Sequence, residues 1–197
     1  MRVLAAGIRR IACPLLLWGM LAPVDAGAAA APGDSVDEEL LALLKTTVLE
    51  ADSFEDRFDA EVWLLDKSTE LARFIPDKTQ RLVFLRKVHR EAIRAGLAPE
   101  VVLAVIEVES RFDSYAVSTA GALGLMQVMP FWKNEIGRPD DNLINTDINL
   151  RYGCTILKYY LDKEEGRLRE ALARYNGSYG QYWYPRRVLL AWESRWR

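Results

Sequence analysis

Apolar positions recur at helical spacing through nearly all of the chain beyond residue 35, and no stretch alternates strand-fashion between turn pairs. An all-α fold is the expectation. Val36, Leu40, Leu43, Leu44 and Thr47 mark one helix. Phe54, Phe58, Val62 and Leu65 mark a second that ends before Pro76, because the residue ahead of a proline is pushed out of helical geometry. A third runs from about Asp77 to Ala95, where Gly96 suits the left-handed position after a helix and Pro99 the first turn of the next. That next helix, Pro99 to about Phe112, carries Val101, Val102, Leu103, Ala104, Val105 and Ile106 in succession, so it is apolar on every side and belongs in the core. The run VVLAVIEVE would also serve as a buried strand, but Pro99 followed by Glu100 favours a helix start.

Downstream, SYAVSTAGALG is small and glycine-bearing, as a loop needs where backbone approaches another group closely. Short turns after Pro130 lead into the polar segment GRPDDNLINTD. Asn145 or Thr146 caps a long helix through about Leu161, Arg167 to Tyr175 forms another, and Pro185 opens a last one with Val188, Leu189 and Trp192 inward. The expected organisation is a leader with accessory helices over 29–75 and a main domain over 76–197.

The N-terminus changes the picture of where the chain works. MRVLAAGIRR is a short basic segment, and IACPLLLWGMLAPV after it is apolar but too short and proline-broken for a comfortable membrane span. This is a secretory signal over 1–28, with small residues permitting cleavage after Ala26 or Ala28. If it stays uncleaved, it tethers the same domain to a membrane. Cys13 does not fit a lipid-anchored cysteine, because Arg10 stands just before it and the apolar run follows it. Removing residues 1–28 takes away three arginines and one aspartate and leaves 23 basic and 27 acidic residues, a net charge of −4. Such a chain is no nucleic-acid binder. Roughly 170 residues suffice for one core without staples. Cys154 then has no partner for a disulfide, and its spacing with Leu150, Leu157 and Leu161 makes it a small buried hydrophobe.

Two glutamates, Glu107 and Glu109, end the apolar helix. At about 100° per residue they point about 200° apart and cannot act as a pair. Each sits one turn beyond apolar residues, so either can be desolvated, or both can be solvated residues at a helix end. A carboxyl held against apolar neighbours resists ionisation and still has a proton to donate near neutral pH, which cleavage of a glycosidic bond requires.

The run ESRFDSYAVSTAGALGLMQVMP (109–130), with DINLRYGCTILKYYL (147–161) and ALARYNGS (171–178), resembles the signature of soluble lytic transglycosylases, a family with a goose-lysozyme-like helical fold. The resemblance covers about residues 80–185. It implies that Glu109, the glutamate before the serine, is the single acid and base. It also implies cleavage of peptidoglycan glycan strands at the β-1,4 bond between N-acetylmuramic acid and N-acetylglucosamine. The sugar's own C6 hydroxyl replaces water, so the products end in 1,6-anhydro-N-acetylmuramic acid. By position, Ser110, Ser118, Gln127, Met129, Tyr175 and Asn176 fall on substrate-facing places, and the tyrosine is expected to support the glutamate by a hydrogen bond. An exported enzyme of the periplasm or cell envelope follows, expected to be a monomer.

The chain departs from the family pattern where relatives continue AYNAGPG and it has RYNGSYGQYWYP, and at Asp113 and Trp132. Tyr179, Tyr182, Trp183 and Tyr184 change the groove wall; one or two of them are assigned to ligand and the rest to packing. A hydrolase on the same fold would need a second acid, with Asp113, Asp140, Asp141 and Asp147 as candidates. A noncatalytic wall-binding module would keep the groove without turnover. No metal or cofactor is expected: His89 is the only histidine and reads as a half-buried structural imidazole.

Overall fold

The computed structural model describes residue 53 and residues 56–197. In that span the order is α1 (Arg57–Leu71), α2 (Lys78–Ala95), α3 (Pro99–Ser110), α4 (Trp132–Ile136), α5 (Thr146–Lys163), α6 (Leu168–Tyr175), α7 (Trp183–Ala191) and a π-helical turn over Trp192–Trp196. No strand occurs among the described residues, only two isolated antiparallel bridges, Val117 with Leu123 and Leu123 with Val128. The expected helix over Val36 to Thr47 and the signal segment lie outside the described residues. No helix among the described residues is long and apolar enough to cross a membrane.

Helix starts follow local chemistry. Asp56 accepts from the Phe58 and Asp59 amides, Asp77 from Gln80, and Asn145 from Asp147 and Ile148, each satisfying donors that the first turn leaves free. Gly96 ends α2 with φ 71°, letting the Leu97 amide reach back to the Ala92 carbonyl.

The core is built around α3. Val102 to Ile106 are completely buried, and α2, α7 and the π-helical turn pack around them. On the far side of α2 lies α5, which in turn carries α6. Cys154 is buried in this core as expected, and burial pushes its thiol up to about 12, leaving no nucleophile.

Three expectations are corrected here. On α1 the buried face is Ala60, Leu64 and Leu71, while Phe58, Val62 and Leu65 are exposed. Polar docking contacts select that face: Trp63 Nε1 donates to Glu100 at 2.6 Å, and Arg81 Nε donates to Ser68 at 3.0 Å. Second, α3 does not run on to Phe112. Arg111 and Phe112 both adopt left-handed backbone, φ 53° and 67°, at a cost of about 1–2 kcal/mol each. What offsets it is burial of the Phe112 ring against Phe74, Phe84 and Trp196. Third, α7 begins at Trp183, so Pro185 sits third in the helix, still in the turn where no amide donor is needed. Val188 points inward as expected, Leu189 and Trp192 only partly.

Candidate active site

The end of α3 separates the two glutamates. Glu107 faces the π-helical turn, where Arg195 donates to it from Nε at 2.9 Å and from Nη2, and Trp196 Nε1 donates at 2.8 Å. It is a structural anchor. Glu109 faces the opposite way, and among the described residues one side-chain hydrogen bond reaches it, from the Tyr184 hydroxyl at 2.6 Å. Burial pushes the Glu109 carboxyl up to about 7, against the opposing effects of that hydrogen bond and of the Arg187 charge. A carboxylic acid that is half protonated near neutral pH can give a proton to a leaving oxygen and take one back.

The tyrosine expected to support the glutamate was Tyr175, and the structure assigns that contact to Tyr184. Tyr175 instead donates to the Met126 carbonyl at 2.7 Å. Burial, and after it the nearby Glu109 charge, holds both hydroxyls far above the usual tyrosine range and keeps them as donors. Tyr184 belongs to the aromatic segment weighed between ligand and packing. It alone of the four is buried, whereas Tyr179, Tyr182 and Trp183 are about half exposed. What reading the sequence missed is that Tyr184 stands just ahead of Pro185 in the first turn of α7, which aims it back at α3.

Beneath the acid, the loop from Arg111 to Phe131 is held by its own polar groups. The Ala122 amide donates to Ser118 Oγ at 2.9 Å, and Gln127 Nε2 donates to the carbonyls of Ala116 and Gly124 at 3.1 and 2.9 Å. Gln127 adopts φ 49° and Gly124 φ 73°. At Gly124 a Cβ would come within 2.5 Å of Asn149 Nδ2, so only glycine fits. Asn149, not singled out from the sequence, is the fully buried hub of this arrangement. Its oxygen accepts from the Met126 amide, and its nitrogen donates to Leu123 and Leu143, all at 2.8 Å.

The remaining expected site residues are placed as follows. Ser110 Oγ donates to the Ile106 carbonyl within α3 at 3.1 Å. Met129 is half-buried after the loop, and Asn176 is half-buried as the residue that ends α6. The structure thus gathers Glu109, Tyr184, Tyr175 and Arg187, with Gln127 next to the carbonyl that Tyr175 binds.

Of the four aspartates offered as a second acid, Asp140 is exposed and the other three are occupied elsewhere. Because α3 stops at Ser110, Asp113 does not stand one turn beyond Glu109, and it accepts from the Tyr115 amide. Asp141 receives Tyr152, and Asp147 receives Lys87 and Arg90. His89 is buried rather than half-buried. Its ring stands edge-on to Trp63 with Ser53 Oγ 2.9 Å from Nδ1, and burial lowers it to about 4. No group of three or more metal-ligating side chains occurs among the described residues.

Among the described residues of this helical domain, Glu109 is a desolvated carboxyl without an ion pair, bonded by the Tyr184 hydroxyl and near that of Tyr175. The family model described as Transglycosylase SLT domain matches residues 87–187, just over half of the chain, and the chain belongs to that family. Membrane-bound lytic murein transglycosylase C of Actinobacillus pleuropneumoniae serotype 5b is 51% identical over 47 residues, 24% of this chain and 13% of that protein. Its namesake from Yersinia pestis (strain Pestoides F) is 31% identical over 113 residues, 49% of this chain and 32% of that protein. The matched stretches therefore span a third or less of these relatives. The X-ray structure of an inactive mutant of lytic transglycosylase Slt from Pseudomonas aeruginosa is similar over 71% of this chain and 30% of that one, at 23% identity and a TM-score of 0.45.

Proposed function

We propose that the protein is a peptidoglycan lytic transglycosylase, cleaving the β-1,4 bond between N-acetylmuramic acid and N-acetylglucosamine with Glu109 as its one acid and base. The observation that carries this reading is the Glu109 carboxyl, raised to about 7 by burial and held by a hydrogen bond from Tyr184. Protonated Glu109 gives its proton to the bridging oxygen as the C1–O bond breaks. The muramyl C6 hydroxyl then closes on C1, and the Glu109 carboxylate takes the proton from that hydroxyl. No water is consumed, and the acid ends as it began. The substrate's N-acetyl carbonyl stabilises the cationic centre, so no second carboxylate is required. Tyr184 steadies the carboxylate between the two transfers. Gln127, Ser118, Ser110, Met129 and Asn176 line the saccharide side, and Tyr175 fixes the loop through Met126.

The same reading includes export to the periplasm or cell envelope, with a mature N-terminus near Gly27 or Ala29, a catalytic domain over 76–197 and a monomeric state. Intact Met1 on protein recovered from the envelope would contradict the export.

The test is Glu109→Gln, which keeps the shape of the side chain but has no acidic proton. Muropeptide release should fall at least about 100-fold while folding and glycan binding persist. Mass analysis of the wild-type digest should give anhydro ends, lighter by one water than reducing ends. Reducing ends would indicate hydrolysis on the same fold, and a folded Glu109→Gln protein with near wild-type release would remove the mechanism.

A further inference from the structure

Helix α4 brings in large apolar side chains that the core does not take up. Phe131 just ahead of it and Ile136 at its end are exposed, Trp132 is half-buried, and no residue of the helix is fully buried. Across from it on α5, Tyr159 is about half exposed and Tyr160 half-buried. These side chains line a pocket of about 480 Å3 between α4 and the second half of α5. Contacts among the rings fix their angles. Phe131 and Trp132 lie 5.1 Å apart at 31°, Trp132 meets Tyr160 edge-on at 6.5 Å, and Tyr160 meets Tyr159 edge-on at 5.2 Å. Lys163 Nζ stands 5.7 Å from the centre of the Tyr159 ring. Three polar groups complete the lining. Glu135 and Lys163 are exposed and balance in charge, and Thr155 Oγ1 accepts from Arg94 at 3.0 Å, which leaves its own proton to donate. None of these residues belongs to the set gathered around Glu109, and Trp132 is one of the positions where the chain departs from the family pattern.

We propose that this pocket is a second saccharide site, separate from the Glu109 site, that holds the enzyme on the glycan by stacking sugar rings on Phe131, Trp132 and Tyr159. For the identity of the polymer the inference rests on the glycan-cleaving reading above. A pyranose ring has faces of C–H bonds and an edge of hydroxyl and amide groups. Exposed aromatic planes suit the faces, and a carboxylate, an ammonium group and a hydroxyl suit the edge. The other classes of occupant fit less well. A lipid chain or an apolar helix would cover Glu135 and Lys163 and leave their charges without water, and an anion finds no excess of positive charge. Rings already braced against one another lose little freedom when a ligand arrives, so the contact area converts to affinity. Two sites on one polymer also hold better than either alone, because release from one leaves the other engaged and rebinding becomes local. That gain exists only where the substrate reaches both sites. A fragment of a few sugars occupies one at a time.

Phe131 and Tyr159 are both about half exposed, so replacing the pair by alanine should leave the fold in place. The full-length protein and its Phe131→Ala/Tyr159→Ala variant are given sacculi stripped of stem peptides by an amidase, and a soluble tetrasaccharide of alternating N-acetylglucosamine and N-acetylmuramic acid, with anhydro-ended products counted by mass. At limiting substrate the variant should lose about ten-fold in rate on the stripped sacculi and less than about two-fold on the tetrasaccharide. Equal loss on both, or none on the sacculi, overturns the inference and leaves the glycan reading intact. A loss confined to sacculi that still carry their peptides assigns the pocket to peptide and overturns it as well. Absence of anhydro products from both substrates with wild type defeats the glycan reading itself. Should the double variant melt appreciably lower, the two single substitutions are read in its place. Calorimetric titration of a tetramer of N-acetylglucosamine into Glu109→Gln reads the pocket without turnover. It should show two classes of site, one of which disappears when Phe131→Ala/Tyr159→Ala is added; an unchanged titration overturns the assignment.

Discussion

At the scale of single residues, two glutamates two positions apart have opposite fates because their partners differ in kind. Glu107 meets a guanidinium and an indole N–H, whereas Glu109 meets apolar core and one phenol. Loss of the acid form should make activity fall as pH rises through about 7. Tyr184→Phe removes a donor that favours the carboxylate, so this alkaline limb should move to higher pH; a pH–rate profile that does not move separates Tyr184 from the acid. The same shift sets a stability effect. Folded Glu109 keeps its proton up to about 7, while the unfolded side chain releases it near 4.5. The folded state therefore binds more protons in that window, and stability falls as pH rises through it. Glu109→Gln abolishes this linkage, so it should be more stable than wild type above pH 7 by about 1–3 kcal/mol. The difference should vanish towards the ordinary carboxylate range in melting curves taken across pH. Glu107→Gln should do the converse, costing about 1–3 kcal/mol through weakened bonds to Arg195 and Trp196 while keeping activity within a few-fold.

Elements matter here through what joins them. The loop beneath Glu109 has almost no regular structure, and α5 holds it through one side chain, Asn149, which bonds three separate backbone groups. Asn149→Ala leaves those buried groups unsatisfied, at about 1–3 kcal/mol for each one that water cannot reach. The expected result is a lower melting temperature together with reduced muropeptide release, although Asn149 is fully buried and exposes nothing to a substrate. An unchanged melting temperature would mean that the loop holds its shape without α5.

Over the whole molecule, the π-helical turn Trp192–Trp196 closes the core. Trp196 is completely buried, stacks obliquely on Phe112 and bonds Glu107, so the last turn braces the end of the helix that carries Glu109. Trp196→Ala should cost about 3–5 kcal/mol, the usual loss for a large buried aromatic. Calorimetric unfolding measures it, and a loss under about 1 kcal/mol would show that the turn only covers the surface.

Local chemistry carried the parts of this protein that the sequence determined by itself. Helical periodicity, Asp77 and Asn145 as caps, Gly96 at a left-handed end and the continuous apolar run of α3 each act within a few residues, so they read directly from the chain. The three motif blocks pointed to the family in the same way. Contacts between distant segments decided the rest. Nothing near Phe58, Val62 and Leu65 shows that the other face of α1 docks, because Glu100 and Arg81 of other helices make that choice. The early end of α3 follows from where a Phe112 ring can be buried, which depends on Phe74, Phe84 and Trp196. Which tyrosine reaches Glu109 turns on how α7 lies across α3, a separation of 75 residues along the chain that side-chain spacing cannot span.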